Sequence, residues 1–228
     1  MKRCTRLFAL VGLLIAACAA NCLEARAQAH DAPRFEVGAQ FSSLTIQEPS
    51  FSSEFRTEPG FGGRFTVNLT DYLAVEAQGD FYPNDNGRGT EFDGGRTTSG
   101  LFGVKAGKRF AHFGVFGKAR PGFVRFGRTL SGFTVPQNNT SQFPFAIPEY
   151  RARTEFATDL GGVLEFYPTR RLVTRFDFGD TIIRYRERTL NFPSFNAGTP
   201  PTVTLFPVTR SGEVLHNFQF SAGIGIRF

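Results

Sequence analysis

Charged side chains at alternate positions are the residues of this chain with the clearest capacity for chemistry. Carboxylates in pairs can act as general acid and base, whereas carboxylates interleaved with bases form ion pairs. The residues concerned are the acids Glu36, Glu76, Asp80, Asp159, Glu165 and Asp177 and the bases Arg64, Lys105, Lys118, Arg120, Arg175 and Arg227. Because nothing distinguishes two of the acids from the others, the pattern predicts a mutually paired network and no catalytic residues.

The three histidines predict neither a metal site nor a hydrolase. His30 and His112 are far from each other and from His216 in the sequence, so the imidazoles are not expected to converge on one ion. A hydrolase built on His216 would need a hydroxyl nucleophile within hydrogen-bond reach. Ser221 falls on the opposite face of the same segment, and no acid is in evident register. We therefore expect no catalytic residue, no metal and no cofactor.

The charged residues are positioned by segments in which apolar and polar residues alternate. Successive side chains of a β-strand point to opposite faces, so a period of two predicts strands with one apolar and one polar face. Eight segments have this period: Phe35–Leu44, Gly60–Leu69, Leu73–Tyr82, Thr98–Gly107, Phe113–Arg125, Thr154–Phe166, Leu172–Ile183 and Val214–Phe228. The charges named above lie on the polar faces. We expect a bulge at Pro121-Gly122, because proline lacks the amide donor.

The connections between these segments alternate between short and long. Short connections follow the second, fourth and sixth segments, and the other connections are about 45–59, 83–97, 126–153 and 184–213. Short turns at one end and long loops at the other are typical of an outer-membrane barrel. We expect the short turns and both termini to face the periplasm and the four long loops to face outside.

Composition agrees with a sheet that faces lipid. The chain has 28 Phe and 25 Gly but no Trp, and a soluble domain would need a large core to bury so much Phe. An even number of strands closes the sheet and leaves no unpaired backbone edge, as lipid requires. The sequence therefore predicts an all-β fold, an eight-stranded antiparallel up-and-down transmembrane β-barrel over residues 35–228, with a lumen filled by the charged residues.

The N-terminal segment predicts export. Basic residues precede an apolar run over 7–20, which is shorter than the roughly 20 residues that span a bilayer. Cleavage after Ala27, or alternatively after Ala29, would remove a signal peptide over 1–27 and leave a leader over 28–34. All three cysteines fall in the signal peptide, so no disulfide or thiolate site is expected. Cys18 also fits the lipobox of bacterial lipoproteins, which remains an alternative.

The net charge of +6 describes the precursor. Removal of the signal peptide takes four bases and Glu24, which leaves 22 bases against 19 acids and a net charge of +3. The remaining bases are scattered along the chain, and a nucleic-acid footprint would need them clustered. We expect no nucleic-acid partner.

The final segment carries a resemblance to a known family. The chain ends GIGIRF, after FDFGD at 176–180 and a Tyr167-Pro168 turn. From about residue 33 to the end it resembles the OmpA/OmpX-type small barrels, grouped as the outer membrane protein β-barrel domain. The resemblance implies a bacterial outer-membrane location and an assembly signal, read by the barrel-assembly machinery, in the terminal strand: Phe228, Ile226, Ile224 and Phe220. Unlike OmpA, no peptidoglycan-binding domain follows, so tethering to the cell wall is not expected.

The leading hypothesis is a monomeric, non-enzymatic barrel with a structural or surface-interaction role. Its partners would be outer-membrane lipid, lipopolysaccharide and an unidentified surface ligand of the loops. The alternatives are a narrow porin-like channel for ions or small solutes, a lipid-modifying barrel enzyme built on His216, and a secreted lipocalin-like barrel. Loop aromatics are expected to pack on one another, although binding a partner stays open: Phe133, Phe143, Phe145, Phe192, Phe195 and Phe206.

Overall fold

A computed structural model describes residues 33–47, 55–84, 95–136, 145–198 and 201–228. The signal peptide over 1–27 and most of the leader lie outside the described residues, so their boundaries stay predictions, as does the interpretation of Cys18. Within the described ranges, no helix is long and apolar enough to cross a membrane.

The described residues form ten β-strands. In chain order these are β1 Phe35–Gln47, β2 Phe55–Asn68, β3 Leu73–Tyr82, β4 Thr97–Arg109, β5 Phe113–Thr134, β6 Ile147–Phe166, β7 Leu172–Tyr185, β8 Arg188–Asn196, β9 Thr202–Arg210 and β10 Glu213–Arg227. Eight of them close into an antiparallel barrel in the order β1-β10-β7-β6-β5-β4-β3-β2, and β8 and β9 form a separate two-stranded sheet. The predicted eight-stranded barrel is confirmed.

The barrel closes where the first strand meets the last. The β1–β10 register runs from Glu36 opposite Arg227 to Thr45 opposite Phe218. At the end of this seam, the Phe35 amide donates to the Phe228 carbonyl at 2.8 Å and the Phe228 amide donates to the Phe35 carbonyl at 2.9 Å. Closure therefore leaves no free sheet edge at the seam, which a strand surrounded by lipid requires.

Every barrel strand turns one set of alternate residues inward and the other outward. The outward set is apolar and exposed, and includes Val37, Phe41, Phe61, Phe65, Phe102, Val104, Val115, Phe123, Phe156, Leu160, Phe166, Leu172, Phe176, Phe178, Phe218, Phe220, Ile224, Ile226 and Phe228. In water such a continuous apolar surface would be unfavourable, whereas in a bilayer it contacts the apolar acyl chains of the lipids. This band is the lipid-facing surface.

Two of the short turns at one end of the barrel, called the turn end below, are closed by hydroxyl side chains. The Thr70 hydroxyl accepts the Leu73 amide at 3.0 Å, and the Thr169 hydroxyl accepts the Leu172 amide at 3.0 Å. Side-chain oxygens of this kind stabilise tight turns because they satisfy amides that the ladder leaves unpaired. The opposite end, called the loop end, carries the long connections.

Two strands extend much further than the alternation predicted. The segment 126–153 was expected to be a loop, but β5 continues to Thr134 and β6 begins at Ile147. Alternation fails there because register shifts interrupt the ladder between Phe126 and Thr129 and again near Gly132, which has φ 149°. The bulge expected at Pro121-Gly122 is wrong, since pairing passes through Pro121 without a register shift.

The segment expected to be the last long loop, 184–213, contains the hairpin of β8 and β9. Prolines disfavour strands in general, yet Pro193 pairs opposite Leu205 and Pro207 opposite Asn191 in a regular antiparallel register. A two-stranded sheet has two open edges, and a proline can occupy a position whose amide faces outward. The hairpin packs on β5 through Phe133 and Phe192, whose ring centroids are 5.6 Å apart.

Candidate functional site

The predicted lumen charges all lie inside the barrel. Each of the twelve, called the charge network below, is at most 5% exposed: Glu36, Arg64, Glu76, Asp80, Lys105, Lys118, Arg120, Asp159, Glu165, Arg175, Asp177 and Arg227. Unpaired charges at such depth would be strongly unfavourable, so their partners determine whether the arrangement is stable.

Arg175 lies at the centre of the charge network and bridges two carboxylates. Its Nε and Nη2 donate to Asp177 at 2.7 Å, and its Nη1 and Nη2 donate to Glu76 at 2.6 and 2.8 Å. Asp177 is on the same strand, whereas Glu76 is on β3, four strands away around the barrel. The planar guanidinium therefore joins opposite walls through two pairs of charge-assisted hydrogen bonds.

Neighbouring bases share the same acids and extend the network. Arg120 donates to Asp159 through Nε at 2.9 Å and to Glu76 through Nη1 at 2.8 Å. The Lys118 ammonium lies 2.9 Å from the Asp159 carboxylate and 3.4 Å from Asp177. Because Glu76, Asp159 and Asp177 each serve more than one base, these charges form a connected cluster instead of isolated pairs.

The turn end of the lumen is closed by a further group that the sequence did not predict. Arg109 donates through Nε to the Tyr167 hydroxyl at 3.0 Å and lies 3.5 Å from Glu36. The Arg227 guanidinium carbon stands 4.3 Å from the centre of the Tyr167 ring. Burial, together with the Glu165 carboxylate that accepts its hydroxyl at 2.9 Å, raises the pKa of Tyr167 above its ordinary value. Tyr167 thus remains a neutral donor that joins arginine and carboxylate.

Above the ion pairs, towards the loop end, Asp80 is held by neutral donors. Gln78 Nε2 donates to its carboxylate at 2.6 Å, the Ser42 hydroxyl at 2.7 Å and Gln40 Nε2 at 2.8 Å. The Gln40 carbonyl oxygen in turn accepts Arg64 Nη1 at 3.4 Å. Within the described residues Arg64 makes no ion pair within 4 Å, so Gln40 is the link between this base and the Asp80 acid.

Two inward-facing glycines make room for these side chains. A Cβ at Gly38 would lie 3.3 Å from the Arg64 Cζ and 2.9 Å from the Ile224 carbonyl oxygen. At Gly62 a Cβ would meet the Asp80 carboxylate and lie 3.0 Å from the Asp80 Cα. A lumen of eight strands is barely wide enough for its side chains, so large residues must face small ones.

An apolar cluster fills the lumen nearest the loop end. This cluster, called the apolar plug below, consists of Leu44, Ile46, Tyr82, Val124, Phe126, Ala157, Ile183, Tyr185 and Leu215. Phe126 and Tyr185 stack with centroids 6.0 Å apart and an interplanar angle of 23°. The plug was missed because inward positions were expected to be polar. The sequence did contain the information, since each member lies an even number of positions from the lumen-facing charged residues of its own strand and therefore on the same face.

Beyond the apolar plug lies a basic groove between the extended β5–β6 ladder and β8. Four arginines are among the residues that line it, Arg151, Arg153, Arg186 and Arg188, and its volume is about 380 Å³. Arg153 and Arg186 both pair with Glu155, a buried acid with inward register that the sequence reasoning also omitted. The groove is therefore a basic surface feature, separate from the paired charges of the lumen.

On the lipid-facing side, His216 has an acidic partner after all. Its Nδ1 lies 2.5 Å from Asp180 Oδ2, and the two side chains are 70% and 41% exposed. Asp180 lies diagonal to His216 across the β10–β7 ladder, so the pair depends on strand register and not on sequence spacing. Ser221 is buried on the opposite face and hydrogen-bonds to Ser42 at 3.0 Å. In the described part of the chain, the histidines and acids form no group of three that could hold a metal ion.

The residues expected to form the assembly signal all face outward on β10 or directly after it. Phe228, Ile226 and Ile224 are each at least 60% exposed, and Phe220 is 37% exposed. They belong to the lipid-facing band, and the Phe228 ring also lies next to the Phe35 ring in a tilted arrangement, with a centroid distance of 6.0 Å. Their recognition during assembly stays a prediction.

The sequence model of one family, described as the outer membrane protein beta-barrel domain, matches residues 12–228. The chain belongs to this family. As an outer membrane β-barrel, it is located in the bacterial outer membrane, where its apolar band contacts lipid. No curated protein matched the sequence.

Solved structures with similar folds are small outer-membrane barrels of low sequence identity. Neisserial surface protein A is 13% identical, with a TM-score of 0.49, over 85% of this chain and 97% of that one. The attachment invasion locus protein Ail of Yersinia pestis is 12% identical, with a TM-score of 0.44, over 86% and 99%. The N-terminal barrel of Pseudomonas aeruginosa OprF is 11% identical, with a TM-score of 0.41, over 85% and 97%.

Proposed function

We propose that this outer membrane β-barrel is a closed, non-enzymatic barrel that acts at the cell surface through its loop end. The observation that carries the proposal is the continuous filling of the lumen. From the turn end upward, the ion pairs of the charge network, its hydrogen-bonded acid Asp80 and the apolar plug follow one another. A transported ion would have to displace both the ion-paired side chains and the apolar side chains of the plug.

The ion pairs and the apolar plug block permeation for different physical reasons. In the network, Arg175 and Arg120 are both 0% exposed and engage Glu76 simultaneously, so an ion would have to break several charge-assisted hydrogen bonds. In the plug, the hydrocarbon side chains around Phe126 would deprive an ion of most of its hydration, which costs several kcal/mol or more. Both features support a structural scaffold over a narrow channel.

The loop end supplies exposed apolar surface for interaction. On the β8–β9 hairpin, Phe195 is 60% exposed, Phe206 46% and Leu205 39%, whereas Phe192 packs on Phe133. Phe143 lies outside the described residues. Since outer-membrane barrels place short turns in the periplasm and long loops outside, we infer that this hairpin faces the exterior. Exposed aromatic side chains with rigid support are suited to binding another molecule.

Single-channel recording of the purified protein in planar bilayers tests the proposal. We expect no stable openings above the baseline of protein-free membranes. A matched sample of a known porin in the same detergent controls for insertion. Stable, reproducible openings of defined conductance would favour the alternative, a narrow porin-like channel.

The pair of His216 and Asp180 is the observation that favours a second candidate, a lipid-modifying enzyme. A histidine that is oriented by a carboxylate can act as a general base when a hydroxyl or thiol nucleophile lies within hydrogen-bond distance of its ring. Within the described residues, however, no hydroxyl group hydrogen-bonds to the His216 ring. We therefore propose a packing role for the pair at the edge of the lipid-facing band.

A further inference from the structure

The basic groove at the loop end holds its arginines in fixed orientations. Arg188 Nη1 donates to the Leu130 carbonyl at 2.9 Å, Arg153 Nη2 to the Arg186 carbonyl at 2.7 Å, and Arg186 Nη2 to the Thr154 carbonyl at 2.9 Å. Backbone oxygens thus orient three of the four guanidinium groups. Side chains already held in place lose less conformational entropy when they bind a ligand.

The charges of the groove do not cancel. Four arginines face two acids, Glu187 on the wall and the buried Glu155 beneath it. Arg151 is exposed and makes no hydrogen bond or ion pair with the described residues, and the Arg186 side chain is 71% exposed. Like charges gathered around one cavity repel one another unless an anion lies between them. Among the residues that line the groove, the arginines therefore outnumber the acids.

The geometry points to a binding site for a phosphate or sulfate group carried on a sugar, with the anion held by Arg151 and Arg186. Planar guanidinium groups donate paired hydrogen bonds to the oxygens of phosphate and sulfate. The volume of about 380 Å³ lies in the range of small-ligand sites.

The rest of the lining suits a sugar ring. The buried Thr129 hydroxyl has no hydrogen-bond partner among the described residues and can bond to a sugar hydroxyl. The hydroxyls of Ser131 and Thr189 already bond to Glu149 and Thr209 and can only add an acceptor. Leu130 and Leu190 are buried and offer an apolar floor. A bare anion would need only the arginines, whereas a phosphorylated or sulfated sugar uses both parts of the lining. This site gives the proposed surface role a specific class of ligand. It rests on the proposed function only in that the loop end must face the exterior.

Ligand titration of the refolded, full barrel in zwitterionic micelles tests the site. Glucose 6-phosphate and glucose 6-sulfate should bind saturably, whereas glucose should not bind. In R151Q/R186Q the affinity should fall by about ten-fold or more, because two charge-assisted donors are lost. The matched control R170Q/R171Q removes two exposed arginines at the turn end and should bind like the wild type. Equal binding of glucose, or unchanged affinity in R151Q/R186Q, would overturn the site.

A second arm identifies the source of the anion. Lipopolysaccharide with a phosphorylated core, added to the micelles, should displace glucose 6-phosphate if the membrane supplies the ligand, and dephosphorylated lipopolysaccharide should not. Absence of displacement would assign a soluble sulfated or phosphorylated glycan to the same site. Because both ends of the barrel are accessible in micelles, binding remains measurable even if bilayer recordings show an open channel, so the two proposals fail separately.

Discussion

Arg175 and Glu76 face each other across the lumen and form two parallel hydrogen bonds of 2.6 and 2.8 Å between β7 and β3. These strands lie on opposite walls of the closed barrel. The pair therefore constrains the cross-section of the barrel directly, in addition to the backbone ladder that runs around it. Its removal should reveal how much of the stability comes from the interior.

Replacing Arg175 by Met should lower the free energy of unfolding by about 3–5 kcal/mol, because Glu76 and Asp177 stay buried without their shared base. Urea titration followed by circular dichroism or gel mobility measures this, since the chain has no Trp to report by fluorescence. The control Arg170→Met changes an exposed turn residue and should stay within about 0.5 kcal/mol of the wild type. Equal stability of the two variants would contradict the role of the network.

Replacing Gln40 by Met should lower the free energy of unfolding by about 1–3 kcal/mol, because Asp80 loses a donor and Arg64 loses its acceptor inside the lumen. The same urea titration measures the change. Gln47→Met, at the loop end of the same strand, removes an amide that the lumen does not use and should change stability by less than about 0.5 kcal/mol. A Gln40→Met barrel as stable as Gln47→Met would show that the link is dispensable.

Replacing Phe126 by Ala should destabilise the barrel by about 3–5 kcal/mol through the cavity left in the apolar plug. It should nevertheless produce no stable openings in planar bilayers, because Arg120 and Arg175 still close the lumen below it. Far-UV circular dichroism should first establish that the variant is folded. Openings in this single variant would mean that the plug alone seals the barrel.

Replacing His216 by Ala should leave the lipid A of an expressing strain unchanged in mass, as the wild type does relative to an empty vector. The reason is that no hydroxyl among the described residues contacts the imidazole that Asp180 orients. Mass spectrometry of isolated lipid A is the measurement. Loss of an acyl chain in the wild type that disappears in His216→Ala would establish the enzyme alternative.

Replacing Phe228 by Ala should reduce the amount of barrel in the outer membrane while leaving refolding in detergent nearly intact. Its backbone bonds to Phe35 do not depend on the side chain, and the ring is 64% exposed. Cell fractionation and in vitro refolding are compared for the two proteins. Ile147→Ala removes an exposed apolar side chain elsewhere and serves as the control. Equal assembly of Phe228→Ala and the control would remove the terminal residue from the assembly signal.

The alternation of residues along each strand could be predicted from the sequence. This alternation determines whether a side chain faces the lumen or the lipid. Arg120 and Asp159 were assigned inward for that reason, and both lie in the lumen. Partner choice could not be read in this way. Arg120 meets Glu76 across 44 residues of sequence because β5 and β3 both flank β4 and project their side chains into the same curved interior.

The structure of the loop end was predicted poorly, because strands beyond the lipid need not alternate apolar outward residues with polar inward residues. Leu44 and Ile46 are inward and apolar, so the rule that polar means inward fails at the apolar plug. The prolines of β8 and β9 disfavour strands locally, but Pro193 and Pro207 occupy an isolated hairpin with open edges. Arg109 lies two residues past the predicted end of its strand, at Gly107, so alternation did not predict that it faces the lumen.

The paired backbone bonds of Phe35 and Phe228 make the order of strands around the barrel cyclic. A linker joining residue 228 to residue 33 would leave every neighbour in the ladder unchanged, and new ends could be opened in any of the long connections. The barrel would then present its termini on the opposite side of the membrane. The seam thus makes this protein a candidate scaffold for displaying a fused peptide at the loop end without altering a single strand pair.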